Sequence, residues 1–359
     1  MNKKVTIRDV AAAAGVAVSS VHQALNGKSG VSSTTRARIC KIADALGYQP
    51  NAMASGLKRK TRRIAVLLPG IHGNARYFYP PLWNGVRDYL GTATDMNLEW
   101  VVLDYPLEDN PSPTIIRQLR EMVMEKKLDG LLTVGHMNAL TPQDWETLQE
   151  SGVTVVLLMS NDAFPGCLCC VQPDYDVVGR TMAELIISHI PQDSDIFVCA
   201  GNPDRLAHSL IVQGMERFLA ENQARNRLIL EHSWNVEESS YQKILHVLSR
   251  TDVAACCSVL SQSSVLLGRA LEESGKAGRI FAVGSDLAEP NIDRLNRKIF
   301  HNLIQKNPYA QGYLGMKTLA EFLTQGKRPE NNILNVGSEV VFRSNLSMYR
   351  YGSGRTLLL

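Results

Sequence analysis

From residue 64 onward one pattern repeats: a short apolar run, a polar or glycine-bearing turn, then a longer stretch with apolar residues three and four apart. The runs at 64–68, 98–103, 130–134, 153–158, 196–200, 228–230, 253–257 and 280–284 read as parallel strands buried on both faces. Stretches such as 82–93, 114–126 and 178–189 predict amphipathic helices that fill the gaps. Strand and helix in alternation predict an α/β body of parallel sheets, in two consecutive Rossmann-like lobes. Ligands in such folds bind beyond the carboxyl ends of the strands, so the loops there are the candidate site.

The first 63 residues are patterned differently. Thr6 is placed to cap a first helix, with Asp9 near its positive end and Val10, Ala11 and Ala14 as its apolar face. Gly15 stops it. A second helix is predicted over 18–26, with Val21 and Leu25 inward and Ser19, Ser20, His22, Gln23 and Asn26 outward. That outer face is short, polar and free of carboxylates, which suits a helix pressed into a major groove. A third helix starts at Val31-Ser32 and carries Ile39, Ile42, Ala43 and Leu46 on one stripe, with Arg36, Arg38 and Lys41 outside it. Helix, glycine turn and polar second helix make a helix-turn-helix pattern. A plain three-helix bundle with a solvated basic face shares it.

Charge separates the two. Residues 1–63 hold twelve Lys and Arg against two Asp and Glu, a balance of +10 in a chain of net +3, which leaves −7 for the rest. A basic head on an acidic body meets a polyanion at one end only.

Other classes find little support. No apolar run approaches the roughly 20 residues that cross a bilayer, and Met1-Asn2-Lys3-Lys4 leads into polar and alanine-rich sequence without a signal-peptide core. The expected location is therefore the cytoplasm, on the nucleoid. Seven cysteines at irregular spacings, with Cys167–Cys170 and Cys256–Cys257 in strand-like runs, read as reduced structural thiols; no metal site and no cofactor are expected. No G-x-G-x-x-G follows a strand, and no P-loop, nucleophile elbow or H-E-x-x-H occurs, so no enzyme is expected. Gly70-Ile71-His72-Gly73 is the only weak phosphate-loop candidate.

The head resembles the LacI/GalR family of bacterial transcription regulators. The matching stretches are Thr6-Ile7-Arg8-Asp9-Val10-Ala11, Gly15-Val16, Ala24-Leu25-Asn26-Gly27, Val31-Ser32, Thr35-Arg36 and Leu46-Gly47-Tyr48-Gln49-Pro50-Asn51. The resemblance implies that Val18, Ser19 and Gln23 discriminate bases, that Thr6, Ser20, Asn26 and Ser32 anchor phosphates, and that His22 makes a contact of its own. Gln23 can pair bidentately with adenine, and Val18 can touch a thymine methyl. Ala17 and His22 stand where the family has serine. The segment 51–63 matches the family's hinge, with Asn51, Ala54 and Leu57 against DNA. Two turns of helix are too short to be stable alone, and the family's hinge folds on operator DNA beside its copy. Leu57 matches the leucine that wedges into the minor groove.

The body is similar to the type-I periplasmic sugar-binding fold that serves this family as effector domain. Asp174-Tyr175…Gly179…Ala183, Gly284-Ser285-Asp286 and Gln305-Lys306-Asn307-Pro308-Tyr309…Gly312 carry the match. By that resemblance Phe78 and Tyr79 stack on a sugar ring, Asp286 accepts from ring hydroxyls, and Gln305 reaches the ligand from the hinge side. Met159, Ile211 and Leu260-Ser261 stand where the family has aspartate, arginine and an Asn-Asp pair; Asn161, Asp162, Arg205 and Gln262 are the candidate substitutes.

The implied architecture is an all-α helix-turn-helix head over 1–50, a hinge over 51–63, a two-lobed α/β periplasmic-binding-protein-like domain of type I over 64–343, and a tail over 344–359 without a coiled-coil heptad pattern. The implied function is a homodimeric repressor that binds double-stranded operator DNA and answers to a carbohydrate-like effector. The alternatives are a repressor with a degenerate pocket and no sugar effector, or a solute-binding protein.

Overall fold

The computed structural model describes residues 5–25, 29–48, 60–107, 111–135, 140–160, 166–232, 236–250 and 252–349. Asn26, Asn51, Ala54, Leu57, Asn161 and Asp162, most of the expected hinge and the end of the tail lie outside them. The chain forms two compact units, a head of residues up to Lys60 and a body that holds nearly everything after it.

The head has three helices, α1 (Ile7–Ala14), α2 (Val18–Leu25) and α3 (Ser33–Ala45). Thr6 and Asp9 cap α1 reciprocally: the Asp9 N–H donates to Thr6 Oγ1 at 3.3 Å and the Thr6 N–H to Asp9 Oδ2 at 2.7 Å. Ser32 accepts from the Thr35 N–H and caps α3. Val10, Ala11, Ala14, Val21, Ala24, Ile39 and Ala43 form the core, with Leu25 and Ile42 half-buried against it. Leu46, expected on the inward stripe, is 40% exposed. The helix ends at Ala45, so Leu46 sits past the last turn that faces the core.

The body contains two six-stranded sheets. The first has the order β11-β5-β4-β3-β1-β2, from β1 (Arg62–Pro69), β2 (Leu98–Tyr105), β3 (Gly130–Val134), β4 (Thr154–Leu158), β5 (Cys169–Pro173) and β11 (Ile333–Val336). The second has the order β12-β10-β9-β8-β6-β7, from β6 (Asp195–Cys199), β7 (Arg227–Glu231), β8 (Val253–Ser258), β9 (Phe281–Ser285), β10 (Asn302–Gln305) and β12 (Glu339–Val341). Neighbours run parallel except β10 and β12. Ile64 in β1 aligns with Trp100 and Gly130, so β1 lies inside the sheet, and its residues 64–68 are fully buried.

The lobes are not consecutive, contrary to the expectation from pattern. The chain leaves the first sheet after β5 and enters α7 (Tyr175–Ile187), whose Tyr175, Val178 and Met182 share one core with Ile196 and Val198 of β6. It returns after β10 through α12 (Pro308–Gln325), which packs on α4 (Tyr79–Thr92) and on β3, β4 and β5. It crosses again between β11 and β12. Glycine makes the close packing of these helices feasible. A Cβ at Gly312 would overlap the Leu82 carbonyl, and one at Gly179 the Ile211 carbonyl of α8 (Leu206–Glu221).

All seven cysteines are free, five of them buried. Burial pushes the thiols of Cys169 and Cys257 up to about 12, which leaves them unreactive. Among the described residues, no helix is long and apolar enough to cross a membrane.

Candidate functional site

Two sites emerge, one in each unit. On the head, Val18, Ser19 and His22 are exposed together on α2, with Ser20 and Gln23 half-buried beside them. Val18 is 42% exposed at the start of that face. Gln23 is packed against Gly30, where a Cβ would approach its Oε1 to 3.0 Å. The Arg36 guanidinium donates to the carbonyls of Gln23 and Ala24 at 3.2 and 2.9 Å. It thereby ties α3 to the last turn of α2, a role the sequence pattern did not reveal. The Thr6 hydroxyl donates to Asp9 Oδ2 within its capping box. Arg8, Arg38 and Lys41 are exposed and supply positive charge.

In the body, a pocket of about 800 Å³, its open mouth included, lies between the two lobes. Phe78, Tyr79, Leu107, Met159 and Ser160 line it from the first lobe. Arg205–His208, Ile211, Val259–Gln262 and Asp286 line it from the second. Tyr175, Lys306 and Gln311 come from the segments that cross between them. The pocket thus sits at the carboxyl ends of strands β4, β8 and β9.

Phe78 and Tyr79 meet edge to face, ring centroids 5.5 Å apart, and both are nearly buried. Burial drives the Tyr79 phenol well above its ordinary range, so it stays a neutral donor. Tyr175 holds the wall by donating to the Met159 carbonyl at 2.7 Å.

Asp286 is in the pocket, as expected, but it is already engaged. Lys306 Nζ lies 2.7 Å from its Oδ2, and the Lys306 N–H donates to its Oδ1 at 3.2 Å. Gln305 faces elsewhere: it lines an adjoining groove with Arg76, Pro81 and Glu289, which shares Phe78 and Asp286 with the pocket. Of the candidate substitutes among the described residues, Arg205 and Gln262 do line the pocket. His208 also lines it; burial first, then Lys306 and Arg205, lower its pKa to about 4, so the imidazole is neutral. Gln311, fully buried, donates to the Lys306 carbonyl at 2.9 Å and has no partner for its Oε1. Lys306, His208 and Gln311 carried no sequence signal of a ligand role.

Among the described residues no group of three His, Cys, Asp or Glu comes together to hold a metal ion.

Comparison with known proteins agrees with this division. Residues 6–51 match the family of bacterial regulatory proteins of the lacI type, and residues 65–328 match the periplasmic binding protein domain. The chain is 23% identical over 336 residues to catabolite control protein A of Staphylococcus xylosus, covering 92% of this chain and 96% of that one. It is 29% identical over 219 residues to the Priestia megaterium protein of that name, a match that spans less than two thirds of either chain, 61% and 62%. Among solved structures, a chain from Bacteroides fragilis described as a LacI transcriptional regulator superposes with a TM-score of 0.68 at 20% identity, covering 81% of this chain and all 100% of that one. A periplasmic solute binding protein from Actinobacillus succinogenes with bound D-allose does so with a TM-score of 0.66 at 16% identity, covering 80% and 100%. With a lacI-type head on a periplasmic-binding-protein body that spans most of its length, the chain belongs to the lacI family of bacterial transcriptional regulators.

Proposed function

We propose that two copies of this chain act together as a repressor on a pseudo-palindromic operator, and that a small ligand bound between the lobes sets the grip of the heads. Val18, Ser19, His22 and Gln23 read bases, while Ser20, Ser32 and the basic side chains hold phosphates. The observation that carries the reading is the pocket, whose walls come from both lobes and from the crossing segments, so that a ligand inside favours one closure angle over another. A ligand with different affinity for the two closures shifts their populations, and hence the geometry offered to DNA. The solute-binding protein that shares this fold holds D-allose, which supports a carbohydrate-like effector. Trp100 and Val102, 39% and 43% exposed on the edge strand β2, support a second copy as partner. A DNA-binding regulator of this kind works in the cytoplasm, on the nucleoid, and we propose no catalytic activity for it.

The test is binding of labelled promoter DNA by the full-length protein, followed by anisotropy as salt is raised. Half-saturation by dimers and a steep linear fall of log affinity with log salt are expected. No binding at low ionic strength, with or without small molecules, refutes the reading.

A further inference from the structure

The charged groups on the pocket wall point to the chemical class of ligand. Arg205 is the N-cap residue of α8, a helix of 16 residues, and lines the pocket. The first turn that follows, Leu206, Ala207 and His208, lines the pocket, so the positive end of the helix and the guanidinium face the same space.

The second cation, Lys306, is spent on the protein itself. Its Nζ donates to the Val259 carbonyl at 3.1 Å and to Ser285 Oγ at 3.0 Å, and it pairs with Asp286. The first two contacts are hydrogen bonds, and the third is an ion pair that leaves Asp286 Oδ2 without a hydrogen-bond donor. The charge of the carboxylate expected to take sugar hydroxyls is therefore balanced by its neighbour, while its Oδ2 can still accept from a ligand hydroxyl. Two cations and one carboxylate leave the ionised side chains of the wall at a net positive charge.

The apolar part of the wall is poorly matched to a fully hydroxylated neutral monosaccharide. Met159, Ile211 and Leu260 offer nothing to a ring hydroxyl, and each buried hydroxyl without a partner is unfavourable. Two buried acceptors of the wall, Asp286 Oδ2 and Gln311 Oε1, have no protein donor, and Gln311 is the uncharged one. It suits one hydroxyl.

We propose that the effector is a small hydroxylated organic anion, with its carboxylate or phosphate seated on Arg205 at the start of α8 and a hydroxyl on Gln311. This rests on the reading of the pocket as the effector site. His208, kept neutral, adds a hydrogen-bond donor to that site without charge: the Asn202 N–H occupies its Nδ1 at 3.1 Å, which leaves the hydrogen on Nε2.

The experiment is thermal unfolding of the full-length protein, at matched ionic strength, with two sets of ligands. The anions are gluconate, galacturonate, glucose 6-phosphate and fructose 1-phosphate; the neutral set is glucose, galactose and fructose. At least one anion is expected to raise the melting temperature while its neutral parent does not. Carboxylate and phosphate arms distinguish the two head groups. In Arg205→Gln the affinity for that anion should fall about tenfold or more, and Arg205→Lys should retain part of it, with operator binding confirming that both variants fold. Stabilisation by the neutral sugars at least equal to that by the anions, no response to any anion, or a response that survives Arg205→Gln overturns the proposal. A neutral sugar that both stabilises the protein and alters operator binding would leave effector control standing. An anion that stabilises it without altering operator binding would support the site and sink effector control.

Discussion

The Lys306 ammonium and the Asp286 carboxylate lie 2.7 Å apart, with their side chains only 8% and 3% exposed. Asp286 holds its place with a left-handed backbone at φ +59° and an N–H donated to the Ile304 carbonyl at 2.9 Å. A buried pair of this kind contributes little net stability, but removal of one partner leaves an uncompensated charge.

Lys306→Met and Asp286→Asn should each destabilise the body by about 3–5 kcal/mol, and the double substitution by far less than their sum. Asparagine tolerates the left-handed region, so strain at position 286 stays out of the comparison. Denaturant unfolding of the four proteins measures this. Additive losses would show that the two charges are not coupled.

His208 makes stability depend on pH. Its pKa is about 4 in the folded chain, against an ordinary value of 6.5. Between these values the unfolded chain binds a proton that the folded chain refuses, so stability rises with pH across the window. It is fully present above about 6.5 and is lost as pH falls toward 4, with a slope of up to about 1.4 kcal/mol per pH unit. His208→Gln keeps an acceptor for the Asn202 N–H and should flatten that part of the profile. An unchanged slope would assign the acid sensitivity to other groups.

The head was legible because its determinants are local. The Thr6–Asp9 capping box, the Gly15 stop and the stripes of Val21 and Ile39 each act within a few residues. In the body, strands buried on both faces announced themselves, but β10, β11 and β12 are three or four residues long and leave no periodic signature. The interleaving of the lobes was hidden as well. Whether α12 follows β10 onto its own sheet or returns to the other depends on contacts such as Gly312 with Leu82, 230 positions apart in sequence.

The pocket was half legible. Phe78, Tyr79 and Asp286 do meet there, whereas Gln305 does not. Gln305 ends strand β10, where successive side chains point to opposite sides, and Lys306 takes the pocket side. A shift of one residue thus exchanges an amide for an ammonium, which a resemblance of motifs cannot foresee.

On the head, Gln23→Ala should lower affinity for the preferred operator by about 1–3 kcal/mol and relax the preference at one base pair. Lys41→Ala should weaken binding to all sequences alike and reduce the salt slope by about one. Anisotropy titrations against a set of single-base operator variants separate the two. Equal loss on every variant for Gln23→Ala would reassign Gln23 to a phosphate or to packing against Gly30.

The same substitution should have opposite consequences on α4 and α12, which pack on each other. Gly91 lies near the end of α4, and a Cβ there meets nothing within 4 Å. Gly91→Ala should therefore raise stability by up to about 1 kcal/mol, the helix-propensity difference between the two residues. At Gly312 the propensity gain is the same, but the added methyl would enter the Leu82 carbonyl and come within 3.3 Å of the Val86 N–H nitrogen. Backbone cannot yield as a side-chain end does, so α12 must move off α4, and Gln311 moves with it out of the pocket wall. Gly312→Ala should thus destabilise by at least about 1–3 kcal/mol, the range for overpacked cores, and weaken ligand binding as well. Thermal unfolding with and without ligand reads both effects. A Gly312→Ala protein as stable and as responsive as the parent would show that α4 and α12 do not approach as closely as the glycines imply.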